Sequence, residues 1–283
     1  MSYNLKKFII ISVVILLIFN LTKQTKNINE NFNNYKLKIV VSFYNKYDYL
    51  EKCLSSIYSQ KYKNFDLCLI NDFSVEKEIN NNLGNLINKY KSKSNFIYIK
   101  NTENEGSLKC LIKGINTLNC KNDDIIIWCD GDDYLLHNNV FGKINKTYMN
   151  NDIKLTFGNY IRLSTGKPDL KKNINFKNII KNKSYRNNRW CYSHLKTFKY
   201  EIFSKINHKD LKINNKYFKN AVDHAVMYPL LEMSGGKFKF ILEPLYVYRD
   251  NNNNANHNNK IKYKQQSNNA RYIKMLPKYK TIY

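Results

Sequence analysis

The sequence predicts an α/β fold, a doubly wound and mostly parallel sheet flanked by helices. Three observations carry that prediction. At 283 residues the chain is long enough to bury one sizeable core. From Leu37 onward, short apolar runs alternate with amphipathic helical stretches, the pattern of βαβ units. Three of those runs end in polar residues, so their chemistry would converge at one sheet edge, where ligands bind in open α/β sheets.

Taken in order, the chain opens with Phe8–Leu21 (FIIISVVILLIFNL), preceded by Lys6 and Lys7. The run is short against the roughly 20 residues of a full span, and no small-residue cleavage site follows it. It reads as an uncleaved signal anchor, a single-pass membrane tether over residues 1–22, with a cleaved signal peptide as the competing reading. Lys23 and Lys26 flank its other side, so the positive-inside rule leaves the side of the membrane open. Residues 23–36 are polar and Asn-rich and read as a stalk.

Residues 37–250 form the expected folded domain. Strands are predicted at Leu37–Tyr44, Phe65–Asn71, Asn95–Lys100 and Asp124–Cys129. Helices are predicted near Asp48–Gln60, Val75–Lys91 and Ser107–Leu118. Beyond these, Lys154–Leu163 reads as one strand, Ser164–Asn188 as a polar insertion, Ser193–Ile206 and Ala221–Ser234 as helices, and Lys237–Tyr248 as one strand. Residues 251–283 begin in an Asn-rich low-complexity loop and read as a C-terminal tail.

Composition argues against nucleic acid as a partner, despite a net charge of +25. The charge is carried by 42 Lys against 5 Arg, beside 46 Asn and only 4 Ala. That skew follows A/T-rich codons, whereas a phosphate-binding patch recruits Arg for bidentate contacts. The six cysteines (Cys53, Cys68, Cys110, Cys120, Cys129 and Cys191) form no CxxC pair and no zinc spacing, and most fall at apolar positions expected to be buried and reduced.

The predicted strand ends carry the chemistry. The first strand finishes in Ser42-Phe43-Tyr44-Asn45, the second in Asn71-Asp72-Phe73-Ser74, and the fourth in Asp130-Gly131-Asp132-Asp133. Three carboxylates within four residues repel one another unless a cation neutralises them. Such hard oxygen ligands suit Mg²⁺ or Mn²⁺ with substrate phosphates completing the shell. Gly131 is expected to permit the tight turn between the acids.

These stretches, VSFYNKYDYLEKCLSSIYSQKYKNFDLCLINDFS (Val41–Ser74), NEGSLKCLIKGI (Asn104–Ile115) and WCDGDDYL (Trp128–Leu135), together resemble the family 2 glycosyltransferases. These are inverting enzymes with the GT-A nucleotide-diphosphosugar fold. The resemblance covers residues 37–163 well and is weaker to about residue 250. It implies that Ser42, Tyr44, Asp72 and Asp130 bind the nucleotide, Asp72 at the base and Asp130 near the ribose. It implies a metal held by Asp132, the acid of the DxD motif, with Asp133 as the alternative ligand. His257 lies where a C-terminal residue closes over the metal in related enzymes, and a solvated loop histidine is the competing reading. Asp223, at the start of a helix, matches the family's catalytic base; an acid placed there for the helix dipole alone is the competing reading. The sequence departs at Asn71, where the family usually has an acid.

The implied reaction is a metal-assisted inverting transfer from a nucleotide sugar, UDP-linked by family preference, to a glycan, protein or lipid acceptor. A non-catalytic binding module that kept the fold is the alternative reading. Trp190, Tyr192, His194 and Lys196 would border the acceptor side, although core packing is the commoner role for aromatics in such a segment. Lys109 and Lys113 default to the surface.

Overall fold

The computed structural model describes residues 34–45, 47–74, 77–149, 152–171, 173–250 and 260–283. The Phe8–Leu21 run and His257 lie outside them. Among the described residues no helix is long and apolar enough to cross a membrane. The folded unit begins at Tyr35, in the segment expected as stalk, where its ring meets Tyr148 edge-on.

The first half follows the predicted alternation. Strand β1 is Leu37–Phe43, helix α1 Tyr47–Tyr58, β2 Phe65–Asn71, α2 Lys77–Lys91, β3 Phe96–Lys100, α3 Ser107–Thr117 and β4 Ile125–Asp130. β1 pairs in parallel with both β2 and β4, and β2 with β3. Successive residues of β1 and β4 point to opposite faces of the sheet. Ile39, Val41, Ile125 and Ile127 join one buried cluster, with Leu50 and Leu54 of α1. Val40, Ile126 and Trp128 join the other, with Leu108, Leu111 and Ile115 of α3. A sheet covered on both sides explains why these runs are apolar almost throughout.

The second half is less regular. It comprises β5 (Tyr134–Leu135), α4 (Val140–Tyr148), β6 (Leu155–Gly158), β7 (Tyr160–Arg162), β8 (Pro168–Asp169), α5 (Phe176–Lys181) and β9 (Lys196–Lys199). Then come α6 (Tyr200–Phe203), β10 (Lys212–Ile213), β11 (Lys216–Tyr217), α7 (Val222–Ser234), β12 (Phe238–Ile241), β13 (Tyr246–Tyr248) and α8 (Lys260–Met275). The seven-stranded sheet has the order β12-β6-β9-β4-β1-β2-β3, and a four-stranded sheet has the order β5-β13-β7-β8.

Three sequence expectations are corrected. Ser193–Ile206 is not a helix: β9 lies antiparallel between β4 and β6, and only Tyr200–Phe203 is helical. All four β9 residues are buried, including Lys196 and Lys199; their charges disguise the strand in sequence. Lys154–Leu163 and Lys237–Tyr248 each split into two strands, one in either sheet. The first break falls at Asn159, after Gly158, where an added Cβ would meet the Ile241 carbonyl oxygen at 2.5 Å. The second break holds Pro244, which removes a ladder donor.

Helix α8 packs on α7 and buries Ile273. Arg186 clamps the junction: Nε and Nη2 reach the Glu232 carboxylate at 2.6 and 2.7 Å, and Nη1 donates to the carbonyls of Ile273 and Leu276.

Candidate functional site

The carboxyl ends of β1, β2 and β4 lie side by side, with Ser42 opposite both Ile70 and Asp130 in the two parallel ladders. The acid turn after β4 is tied to β1 by the Gly131 amide donating to the Ser42 carbonyl at 2.9 Å. Gly131 has an ordinary negative φ. Its reason for being glycine is proximity, since a Cβ there would stand 2.7 Å from Phe43 Cβ. Tyr44, just past β1, is exposed.

Asp72 is buried and its carboxylate gathers the next loop. It accepts from the amides of Glu105 and Gly106, both at 2.8 Å, and from the Asn101 and Asn104 side chains at 2.9 and 3.1 Å. These donors engage both oxygens and lock the loop that opens α3, whose Gly106 has a φ of 86°. Asn71, the departure from the family pattern, accepts from the Ser74 amide and donates to the Tyr98 hydroxyl. A carboxylate cannot make that donation. Lys109 and Lys113 both pair with Glu105 at 2.8 Å. Burial opposes ionisation of Glu105, and the two lysines outweigh it, holding its pKa below the usual range.

The acid turn itself is crowded. Asp133 is 1 % exposed; its Oδ1 accepts from the Arg249 amide at 2.8 Å, while Oδ2 has no hydrogen-bond partner. Burial pushes Asp133 well above the usual carboxylate range, and Asp130 and Asp132 push it further. Asp130 is raised to about 6 by burial, against the pull of Lys196 and with a push from Asp132 and Asp223. Asp132 lies more open, 4.0 Å from Arg249 Nη1. The Arg249 guanidinium in turn covers the Tyr49 ring at 3.6 Å.

Across from this turn, β9 and the bend before it bring two residues, Lys196 and His194, that no motif announced in these roles. Lys196, facing Trp128 in the ladder, is 2 % exposed. It lies 4.3 Å from the Trp128 ring centroid and 2.5 Å from Asp223 Oδ1. Asp223 stands in the first turn of α7 as expected. Burial works to raise its pKa, and the Lys196 ammonium, the largest opposing influence, helps to hold it below the usual range. His224 beside it stacks on Trp190 at 4.1 Å. His194 stacks on Tyr246 and Tyr248 at 4.8 and 5.4 Å.

One ligand atom each from Asp130, Asp133 and His194 falls within 4.8 Å of the others. With both acids ionised, as a bound cation would hold them, two carboxylates and a neutral imidazole carry a charge of −2, matching a divalent cation, and the unpartnered Asp133 Oδ2 leaves a lone pair free for one. The residues therefore fit the metal that the family implies. The structure thus brings together Ser42, Asp130, Asp132, Asp133 and Asp223 from the predicted set and sets Asp72 in the loop beside them. His194 lies in the bend two residues before β9, whose pairing with β4 ends at Trp128↔Lys196. No local pattern marks this placement, because the two lysines of the short strand β9 hide its buried, extended character in the sequence.

A family model described as "Glycosyl transferase family 2" matches residues 38–210. Among curated proteins, the chain is 28% identical over 100 residues to "Glycosyltransferase GlyA" of Streptococcus pneumoniae serotype 4. That match spans 35% of this chain and 13% of the relative. Among solved structures, S. aureus TarS 1-349 in complex with UDP aligns with a TM-score of 0.56 at 17% identity, over 76% of this chain and 60% of that one. The mannosyltransferase PcManGT from Pyrobaculum calidifontis, in complex with GDP-Man and Mn²⁺, aligns with a TM-score of 0.56 at 13% identity, over 86% of this chain and 66% of that one. At such identities the structural matches establish the fold, an α/β GT-A-like architecture with a mostly parallel sheet.

Proposed function

Because the chain belongs to glycosyl transferase family 2, we propose that it transfers a sugar from a nucleoside diphosphate donor to an acceptor hydroxyl by a single inverting displacement. The observation that carries this reading is the meeting of the acid turn at Asp130–Asp133 with the Lys196–Asp223 pair across it. One side suits a diphosphate, the other an attacking hydroxyl. The UDP and GDP-Man complexes of the structural neighbours support a nucleotide-sugar donor, and a UDP-sugar is the expected one.

In this reading Ser42, Tyr44 and Asp130 contact the nucleoside, and Asp72 holds the Asn101–Gly106 loop beside the base. As the acceptor oxygen attacks the anomeric carbon, the bond from that carbon to the diphosphate oxygen breaks. Asp223 takes the acceptor's proton, and Lys196 keeps that carboxylate ionised beforehand. A divalent cation, Mn²⁺ or Mg²⁺, would neutralise charge developing on the leaving diphosphate, and Asp132, with Asp130 or Asp133, would hold it. A glycan, a protein or a lipid fits as acceptor, and Phe8–Leu21 supports a membrane tether for the whole.

The test is turnover of a panel of nucleotide sugars by the detergent-solubilised full chain with Mn²⁺. Asp223→Asn is expected to lower transfer by about 10²–10⁴-fold, the usual worth of a positioned base, while donor binding persists. A chain that binds no donor in the presence of metal would favour a binding module that kept the fold.

A further inference from the structure

We propose that His194 is a further ligand of the catalytic cation, joining the acids of the 130–133 turn, of which Asp130 and Asp133 lie within reach of it, in a mixed carboxylate–imidazole site that favours Mn²⁺ over Mg²⁺. The inference rests on the family reading of a metal-assisted transfer, and adds to it a ligand from the bend before β9 rather than from the acid motif or the C-terminal loop.

β9 runs antiparallel to β4 with Ile125 opposite Lys199 and Trp128 opposite Lys196. His194 lies in the bend two residues before that strand, and there its imidazole comes within ligand reach of Asp130 and Asp133. The ring is held by its neighbours: it stacks on Tyr246 with an interplanar angle of 10° and on Tyr248 with 18°, and meets Tyr160 edge-on at 83°. A ligand whose orientation is set by packing loses little freedom on binding a metal.

Two polar atoms at this place are buried without a partner, His194 Nδ1 and Asp133 Oδ2, in side chains 8 % and 1 % exposed. Buried polar groups are nearly always satisfied, so a pair of exceptions in one cluster calls for a ligand. Asp133 Oδ1 is already occupied by the Arg249 amide, which fixes the carboxylate's orientation. Mg²⁺ prefers a hard oxygen shell, whereas an imidazole nitrogen shifts a carboxylate site toward transition-metal ions.

The experiment is a titration of the full chain with MnCl₂ alone, followed by electron paramagnetic resonance, with pulsed detection of ¹⁴N coupling to the bound ion. The parent chain should show ¹⁴N coupling. His194→Ala and His194→Gln should abolish it and weaken Mn²⁺ binding by about 10-fold or more, since even outer-shell partners of ligands are worth about 10–100-fold. The Mg²⁺ affinity should fall less. Coupling that survives in His194→Ala and disappears in His257→Ala would overturn the proposal, as would unchanged Mn²⁺ affinity in both His194 variants. Unaltered circular dichroism and retained UDP binding in chelator show that a variant is folded. They also separate the two readings: a parent chain that binds no nucleotide fails the donor assignment, whereas one that binds nucleotide and Mn²⁺ without ¹⁴N coupling fails only the His194 assignment.

Discussion

Adding a single methyl group at Gly131 tests whether the acid turn must lie hard against β1. In Gly131→Ala the new Cβ would stand 2.7 Å from Phe43 Cβ and 3.1 Å from the Ser42 carbonyl oxygen, where ordinary contact begins at 3.4 Å. Both near atoms belong to a central strand with parallel partners on either side, so they have little room to give. The turn must therefore retreat by most of the 0.7 Å between 2.7 and 3.4 Å, stretching the 2.9 Å bond from the Gly131 amide to Ser42. Overpacking of this kind costs about 1–3 kcal/mol. Asp130 and Asp132 flank the glycine and move with it. Misplacement of a catalytic group by about 1 Å can cost about 10²-fold, so the expected fall in kcat/KM for donor turnover is about 10- to 100-fold. Urea denaturation measures the stability change, and turnover is compared under conditions where both proteins are folded. Activity within a factor of about two of the parent chain, with the destabilisation present, would refute the claim that this contact positions the acids.

Three further outcomes are expected. Lys196→Met removes the ammonium that most strongly opposes burial at Asp223, so the Asp223 pKa rises and the acid limb of the kcat/KM profile moves to higher pH; an unmoved limb would separate Asp223 from proton removal. Asp72→Asn leaves donors of the Asn101–Gly106 loop facing an amide instead of a carboxylate, and should cost about 2–4 kcal/mol in urea denaturation, given about 1–3 per buried group left unsatisfied. Burial pushes His224 from 6.5 down to about 4. Between those values the unfolded chain takes a proton that the folded chain refuses, so stability falls as pH drops through that window. His224→Phe, which keeps an aromatic ring against Trp190, should flatten that slope in urea midpoints measured across it, while His194, pushed down to about 3 chiefly by burial, leaves a slope of the same sign.

Much of this site was legible because its parts are local. An apolar run with helical stretches on either side marks a buried parallel strand, so β1 to β4 and their polar ends at Ser42, Asp72 and Asp130 could be read along the chain. The departure at Asn71 was visible as well, although only its bonds to Ser74 and Tyr98 give it a job. The turn at Gly131 was anticipated for the wrong reason: its backbone is ordinary, and the constraint is a side chain from another strand.

By itself, then, the sequence determined the βαβ order, the sheet edge at which the acids collect, and the helix start that carries Asp223. Only the tertiary structure decided which side chains face those acids. Lys196 sits on, and His194 two residues before, a strand whose partners, Trp128 and Leu155–Thr156, are some 40 to 70 positions away, and charged residues interrupt its alternation. The clamp of Arg186 on Glu232 and on carbonyls at and just past the end of α8 spans up to 90 positions. Antiparallel register and buried ion pairs across such separations leave no periodic mark on the chain, because they depend on which surfaces meet once the helices have covered the sheet.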